Sequence, residues 1–458
     1  MLRGTSLPPR EQLSARAALY AYPDPAQADA ARADAARADA DQAEATPAAL
    51  ARPDPAAATQ PTLDPQALMA LARERTGLQD FGPGPLEEPL LMLCHSLAHE
   101  MQLSAAGRHS AHQRLLQLLC TRARLQALWQ RHPEILELEV AEPWFIVGLP
   151  RSGTTLTHRL LSRDPGLRSA PLWELMHPLP LGEPISAAAA AQAMASGGTP
   201  NAPDPRINLA EQALQRLHHV APELLRMHEM QADEPDEELN LLALGFCSMG
   251  FEFSFCVPSY VRWYARQDHT EGYRLFRRVL QTLQWLRGGS RWILKAPSHM
   301  EQLRPLLTVF PDATVIQTHR DAAVTTVSLA SLTCYGVRAY FDHPNPLVLG
   351  SSLSGAVERL LRAFDRDRAN GDERFVDIHF GALMREPIEA LRQVYAARGR
   401  PFSAAAEQAM RDYIAAHPRG RHGAHDYAAE DFGLDLAERR RALAFYHQRF
   451  GVAEEAGK

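Results

Sequence analysis

An α/β fold with a parallel sheet flanked by helices is predicted by three observations. The apolar run Trp144–Val147 passes through a Gly/Pro/Ser turn directly into a helical stretch, Thr154–Leu161. Further short β-type runs lie at 292–294, 314–318 and 375–378, each separated from the next by helical pattern. Strand–helix alternation of this kind is what crossover connections in a parallel sheet require. The turn after the first run spaces Gly148 and Gly153 as G-x-x-x-x-G, which makes the sheet P-loop-type.

Taken in order, residues 27–61 form an Ala/Asp/Arg/Pro tract with a near repeat and almost no large apolar side chains. Such a segment buries no core of its own, so 1–62 is expected to be a low-complexity or disordered arm. From 63 to about 133 the apolar spacing is helical (Leu90, Leu93, Leu97, then Leu115, Leu116, Leu119), which predicts a helical extension over 63–140. The α/β domain is expected over 141–451, interrupted by a helical insertion at about 181–290. Whether the extension covers a substrate cleft or makes a dimer contact stays open at this level.

Composition bounds the function. With 458 residues, 46% of them hydrophobic, the chain can bury a large core. A net charge of −6 gives no footprint for nucleic acid. The five cysteines (94, 120, 247, 256, 334) form no C-x-x-C pair, which suits reduced thiols in a cytoplasm and no zinc site. The first 22 residues have no apolar h-region, and the most apolar stretch, 239–258, contains Asn240 and Glu252, so a soluble, cytoplasmic protein without a membrane span is expected.

The chemistry concentrates at strand ends. A loop opening into a helix is an anion site: the N–H groups of Ser152, Gly153, Thr154 and Thr155 and the helix dipole are expected to face one locus, with Arg151 adding charge. Thr154 stands where a nucleotide triphosphate loop carries its lysine, which disfavours ATP as ligand. The 48 basic residues comprise 46 Arg and only two Lys, of which Lys295 is the sole interior one and ends the run 291–295. In so Arg-rich a chain, that exception suggests a need for a compact, single-point ammonium. Arg320 ends another strand, with Ser328 on the helix after it, a pairing suited to a second anionic group.

The order P-R-S-G-T-T (150–155), W-I-L-K-A-P-S-H (292–299), V-I-Q-T-H-R-D (315–321) with Ser328, and P-R-G-R-H-G (418–423) resembles the PAPS-dependent sulfotransferase family, in its bacterial branch with a helical N-terminal extension. The resemblance implies transfer of a sulfuryl group from 3′-phosphoadenosine 5′-phosphosulfate (PAPS) to a hydroxyl or amine of a small-molecule acceptor, without a metal. It places Arg151, Ser152, Gly153, Thr154 and Thr155 on the 5′-phosphosulfate. It places Arg320 and Ser328 on the 3′-phosphate, joined by Arg419 and Gly420. Lys295 and Arg151 would neutralise charge as the bond breaks. For the general base, Glu174 matches a position where several branches carry a carboxylate, and His299 competes with it. The alternatives are a P-loop nucleotide kinase or NTPase, and a nucleotide-binding module without turnover. After 375–378 the family's usual carboxylates are missing from the segment 379–383.

Two further features have structural readings first. The acidic run 233–238 is expected to open a helix, whose first turn favours Pro and carboxylates. The aromatic stripe Phe246, Phe251, Phe253, Phe255, Tyr260, Trp263 and Tyr264 is expected to be core rather than pocket wall.

Overall fold

The computed structural model describes residues 60–181, 204–418 and 427–455. The arm expected over 1–62 therefore lies outside the described residues, apart from its last three. Three helices come first: α1 (Pro65–Thr76), α2 (Glu87–His99) and α3 (Ala105–Arg131). Asp64 accepts a hydrogen bond from the Ala67 N–H at the start of α1, Pro65 sits in the first turn where no amide donor is needed, and Gly77 ends the helix at φ 67°. Ser104 caps α3 in the same way through the Gly107 N–H.

The apolar faces of these helices pack around Phe246, Phe251, Phe255, Tyr260 and Tyr264. Most of the aromatic stripe is thus core, while Phe253 turns to a cleft described below. The loop between α1 and α2 is pinned by buried Arg122, which donates to the carbonyls of Phe81, Gly82, Pro83, Gly84 and Pro85 and to that of Leu244. Burial pushes this guanidinium down to about 10, and the six carbonyls hold it in place. α3 reaches the domain through close backbone contact. Ser104 N–H donates to Tyr340 O at 3.0 Å, and a Cβ on Gly107 would meet that oxygen at 2.0 Å.

The sheet follows. β1 (Trp144–Val147) leads to α4 (Thr154–Leu161), α5 (Leu172–Met176), α6 (Pro205–Val220) and α7 (Thr270–Arg287), and then to β2 (Ile293–Lys295). β3 (Thr314–His319), α8 (Ala322–Gly336), α9 (Pro346–Asp367), β4 (Phe375–His379) and α10 (Pro387–Ala397) complete the core. All pairings are parallel, in the order β2-β1-β3-β4. Phe145, Val147, Leu294 and Val315 face α7 and α9, whereas Trp144, Ile146, Ile293 and Ile316 face α4 and α10. Burial on both sides explains why these strands are continuous apolar runs. Among the described residues no helix is long and apolar enough to cross a membrane.

β2, β3 and β4 each extend one residue past the expected apolar run, to Lys295, His319 and His379. Ladder pairing uses the backbone and does not stop where the side chains turn polar. β1 sits centrally, with its successor β2 on one side and β3 on the other. A crevice therefore opens past the carboxyl ends of β1 and β3, where ligands bind in open α/β sheets.

Candidate functional site

The loop after β1 is held by tight packing. A Cβ on Gly148 would lie 2.2 Å from Thr318 Oγ1, so only glycine lets the loop approach β3 this closely. Ser152 is buried; its hydroxyl donates to Leu149 O at 2.6 Å and meets Thr318 Oγ1 at 2.7 Å, while its N–H is also spent on Leu149 O. Ser152 therefore shapes the loop, and the amides left for a ligand are those of Gly153, Thr154 and Thr155, the first groups of a helix, which have no intrahelical acceptor. Arg151 at φ 72° and Gly153 at φ 95° both adopt left-handed backbone. For Arg151 that conformation is a local strain of the kind that gathers at ligand loops.

Arg320 and Ser328 lie beside this loop. Arg320 Nη1 donates to Arg151 O at 2.7 Å, and Arg151 Nε donates to Ser328 Oγ at 3.2 Å. The guanidinium of Arg320 rests 4.0 Å over the Phe380 ring. Its Nε and Nη2 form a bidentate pair with Glu455 at 2.7 and 2.8 Å. The Glu455 N–H in turn donates to Asp321 Oδ2 at 2.9 Å, which ties the C-terminal segment to the end of β3. Behind Arg320, His319 is fixed between Asp377 (2.7 Å) and the Tyr446 hydroxyl (2.9 Å).

Lys295 leaves β2 opposite Ile146, two residues before Gly148. Its ammonium is 2.7 Å from Glu237 Oε1, and its backbone N–H donates to Glu238 Oε2 at 2.8 Å. Burial raises the Glu237 carboxyl above its ordinary range, although the Lys295 charge opposes this. Burial acts on Glu238 in the same sense, but its hydrogen bond with His299 and the pull of the imidazole outweigh that and hold it low. The acidic run was expected to open a helix; instead the helix Leu239–Leu242 starts only after it. The run is laid along 170–173 by bonds such as Trp173 N–H to Ala232 O and Asp236 N–H to Ala170 O. That docking turns Glu237 and Glu238 inward. Both are functional candidates that local spacing missed, because their partners lie about 60 residues downstream.

Neither residue expected as general base reaches the crevice. His299 is fully buried, with Nε2 2.6 Å from Glu238 Oε1 and Nδ1 2.6 Å from the Tyr273 hydroxyl. Both ring nitrogens are engaged, so His299 positions Glu238. Glu174 is 1% exposed and bound by Arg168 at 2.8 Å and Arg287 at 3.5 Å. Glu174 thus packs against two arginines and is absent from the lining of the cleft. Arg419 and Gly420 lie outside the described residues.

The crevice is a cleft of about 700 Å³ lined by Arg151, Gly153, Thr154, Thr155, Arg320 and Glu237 on its polar side. Met176, Leu214, Leu217 and Leu239 form an apolar wall opposite. His228 and Asp236 also face it. Burial drives the His228 imidazole well below its usual range, with Asp236 opposing and Lys295 and Arg151 adding to the shift, so the ring is neutral at pH 7.

Comparison with known proteins agrees with this geometry. A family model described as Sulfotransferase family matches residues 143–404. Sulfotransferase STF9 from Mycobacterium avium superposes with a TM-score of 0.75 at 26% identity, covering 88% of this chain and 100% of that one. Sulfotransferase STF1 from Mycobacterium tuberculosis H37Rv gives 0.70 at 27% identity, over 84% and 100%. A search of curated proteins found no match. With more than half of its length matched by the family model, the chain belongs to the sulfotransferase family.

Proposed function

We propose that the donor of this sulfotransferase is PAPS and that its acceptor is a hydroxyl or amine of a small molecule bound against the apolar wall of the cleft. One observation carries the reading: Arg151, Gly153, Thr154, Thr155, Arg320 and Glu237 line one cleft, with Ser328 behind Arg151 and Lys295 behind Glu237. The donor has two separated anionic ends and no γ-phosphate, which suits two adjoining clamps and a loop with Thr154 in the lysine position. Arg151 and the amides of Gly153, Thr154 and Thr155 take the phosphosulfate. Arg320 and Ser328 take the 3′-phosphate.

In the transfer step the acceptor oxygen or nitrogen bonds to sulfur as the bond from sulfur to the bridging phosphate oxygen breaks. Adenosine 3′,5′-bisphosphate leaves with that oxygen negatively charged, and Lys295 supplies the neutralising ammonium. The acceptor proton goes to Glu237, which faces the cleft and whose raised pKa favours proton uptake. His299, Glu238 and the Lys295 backbone fix this pair from behind. As a test, Arg320→Ala should weaken binding of adenosine 3′,5′-bisphosphate at least tenfold and leave AMP unaffected. Equal weakening of both nucleotides would remove the 3′-phosphate assignment.

A further inference from the structure

The cleft does not end at its apolar wall. A second chamber of about 430 Å³ opens between α3, α6 and the segment ending at Tyr340. It shares Arg114, Met176, Ala213, Leu217, Asn240 and Tyr340 with the first, so the two chambers adjoin along these residues. α3 presents Ser110, Gln113, Gln117 and Thr121 to the second chamber, positions three and four apart that fall on one helical face. This wall comes from the helical extension, upstream of the region 143–404 that matches the family model. A donor held by the loop and Arg320 takes up part of the first chamber, which leaves its remainder and the second chamber to the acceptor.

The charge of that space has one sign. Among the described residues, no Asp or Glu lines the second chamber, whereas Arg114, Arg216, Arg338 and His109 do. Arg338 is engaged with Glu223 at 3.3 Å. Arg114, shared by both chambers, lies 5.6 Å over the Phe251 ring and reaches only Asn240 Oδ1, at 3.4 Å. It has no carboxylate in ion-pair range among the described residues, although it is half-buried on a rigid 27-residue helix. A cation with no counter-ion among the described residues, placed where two chambers meet, suits recognition of an anionic group.

Resting on the sulfuryl-transfer reading above, we infer that the two chambers form one channel and that the acceptor is an elongated amphipathic molecule. Its reacting hydroxyl lies at Glu237, its apolar stem runs along Leu214 and Leu239 of the first chamber, and its anionic end reaches Arg114 where the second chamber begins. Arg114 is thus a specificity-determining residue supplied by the extension.

The probes are 10-hydroxydecanoate and 1,10-decanediol, which share a terminal hydroxyl and stem and differ only in the far group. Their affinities are measured by calorimetry on the full chain, with and without saturating adenosine 3′,5′-bisphosphate. The carboxylate should bind at least tenfold more tightly than the diol. Arg114→Gln should erase that preference without changing the affinity for the bisphosphate. Equal affinity of the two probes, absence of binding by both, or a preference that survives in Arg114→Gln would overturn the inference. A wild-type protein that selects the carboxylate through Arg114 yet ignores the bisphosphate would instead leave the channel assignment standing and remove the donor reading.

Discussion

The proposed donor site carries its own competitor. Glu455 occupies two donors of Arg320, the side chain assigned to the 3′-phosphate, so the nucleotide must displace that carboxylate to bind. Glu455→Gln removes the charge but keeps the shape and the backbone N–H bond to Asp321 Oδ2. A bidentate charge-assisted pair is worth about 1.5–3 kcal/mol when well shielded, and an exposed pair about 0.2–1 kcal/mol. Here the side chains of Arg320 and Glu455 are 17% and 32% exposed, so solvent screening brings the estimate to about 1 kcal/mol. That corresponds to roughly fivefold tighter binding of adenosine 3′,5′-bisphosphate in Glu455→Gln. Calorimetry on wild type and variant, with AMP as the ligand lacking the 3′-phosphate, reads this directly. AMP affinity should not change, and the gain should shrink as salt rises. Unchanged or weaker bisphosphate binding, or equal tightening of both ligands, would refute the reasoning.

Other expectations follow from the same geometry. Lys295→Ala should lower turnover at least about tenfold, a loss of roughly 1.4 kcal/mol in transition-state stabilisation, while calorimetry shows donor-product affinity little changed. Glu237 must be ionised to accept a proton, and its pKa is raised, so activity should fall as pH drops through a limb lying above the ordinary carboxylate value of 4.5. That limb should vanish in the pH profile of Glu237→Gln along with most of the rate. Arg122→Met would strand buried carbonyls of the 81–85 loop and should cost about 3 kcal/mol in denaturant unfolding. Asp377, hydrogen-bonded by Arg368 and His319, is held well below the carboxylate range even though burial opposes this. A depressed folded pKa gives stability that is present above the unfolded value and lost as pH falls. Asp377→Asn should therefore reduce stability at pH 7 and flatten its decline between about pH 4 and 2, as followed by acid unfolding.

The sheet was legible because each strand is a short apolar run with helical pattern on either side, and burial of both faces leaves no alternation to confuse it. The loop was legible because glycine spacing and a helix start act within ten residues. Arg320 and Ser328 belong to one strand–helix unit, but they are joined only through Arg151, which contacts both. The Lys295–Glu237 pair was not legible, since it forms only through a tertiary contact between an insertion segment and β2. In a linear chain an acidic run before a helix looks like a favourable first turn, and Glu174 looks free until Arg168 and Arg287 are seen around it. His299 shows a related limit: proximity to Lys295 in sequence says nothing of the Glu238 and Tyr273 groups that engage both ring nitrogens. Ser152 shows a finer limit, because motif matching places it on the ligand while its hydroxyl and N–H are spent within the loop.

The most direct test of the account is a thermal-shift comparison of adenosine 3′,5′-bisphosphate, AMP and Mg·ATP on the full chain, since a ligand that binds the folded state raises stability by mass action. Selective stabilisation by the bisphosphate is the predicted result. Stabilisation by Mg·ATP in preference to the bisphosphate would contradict the assignment of the two clamps and of PAPS as donor.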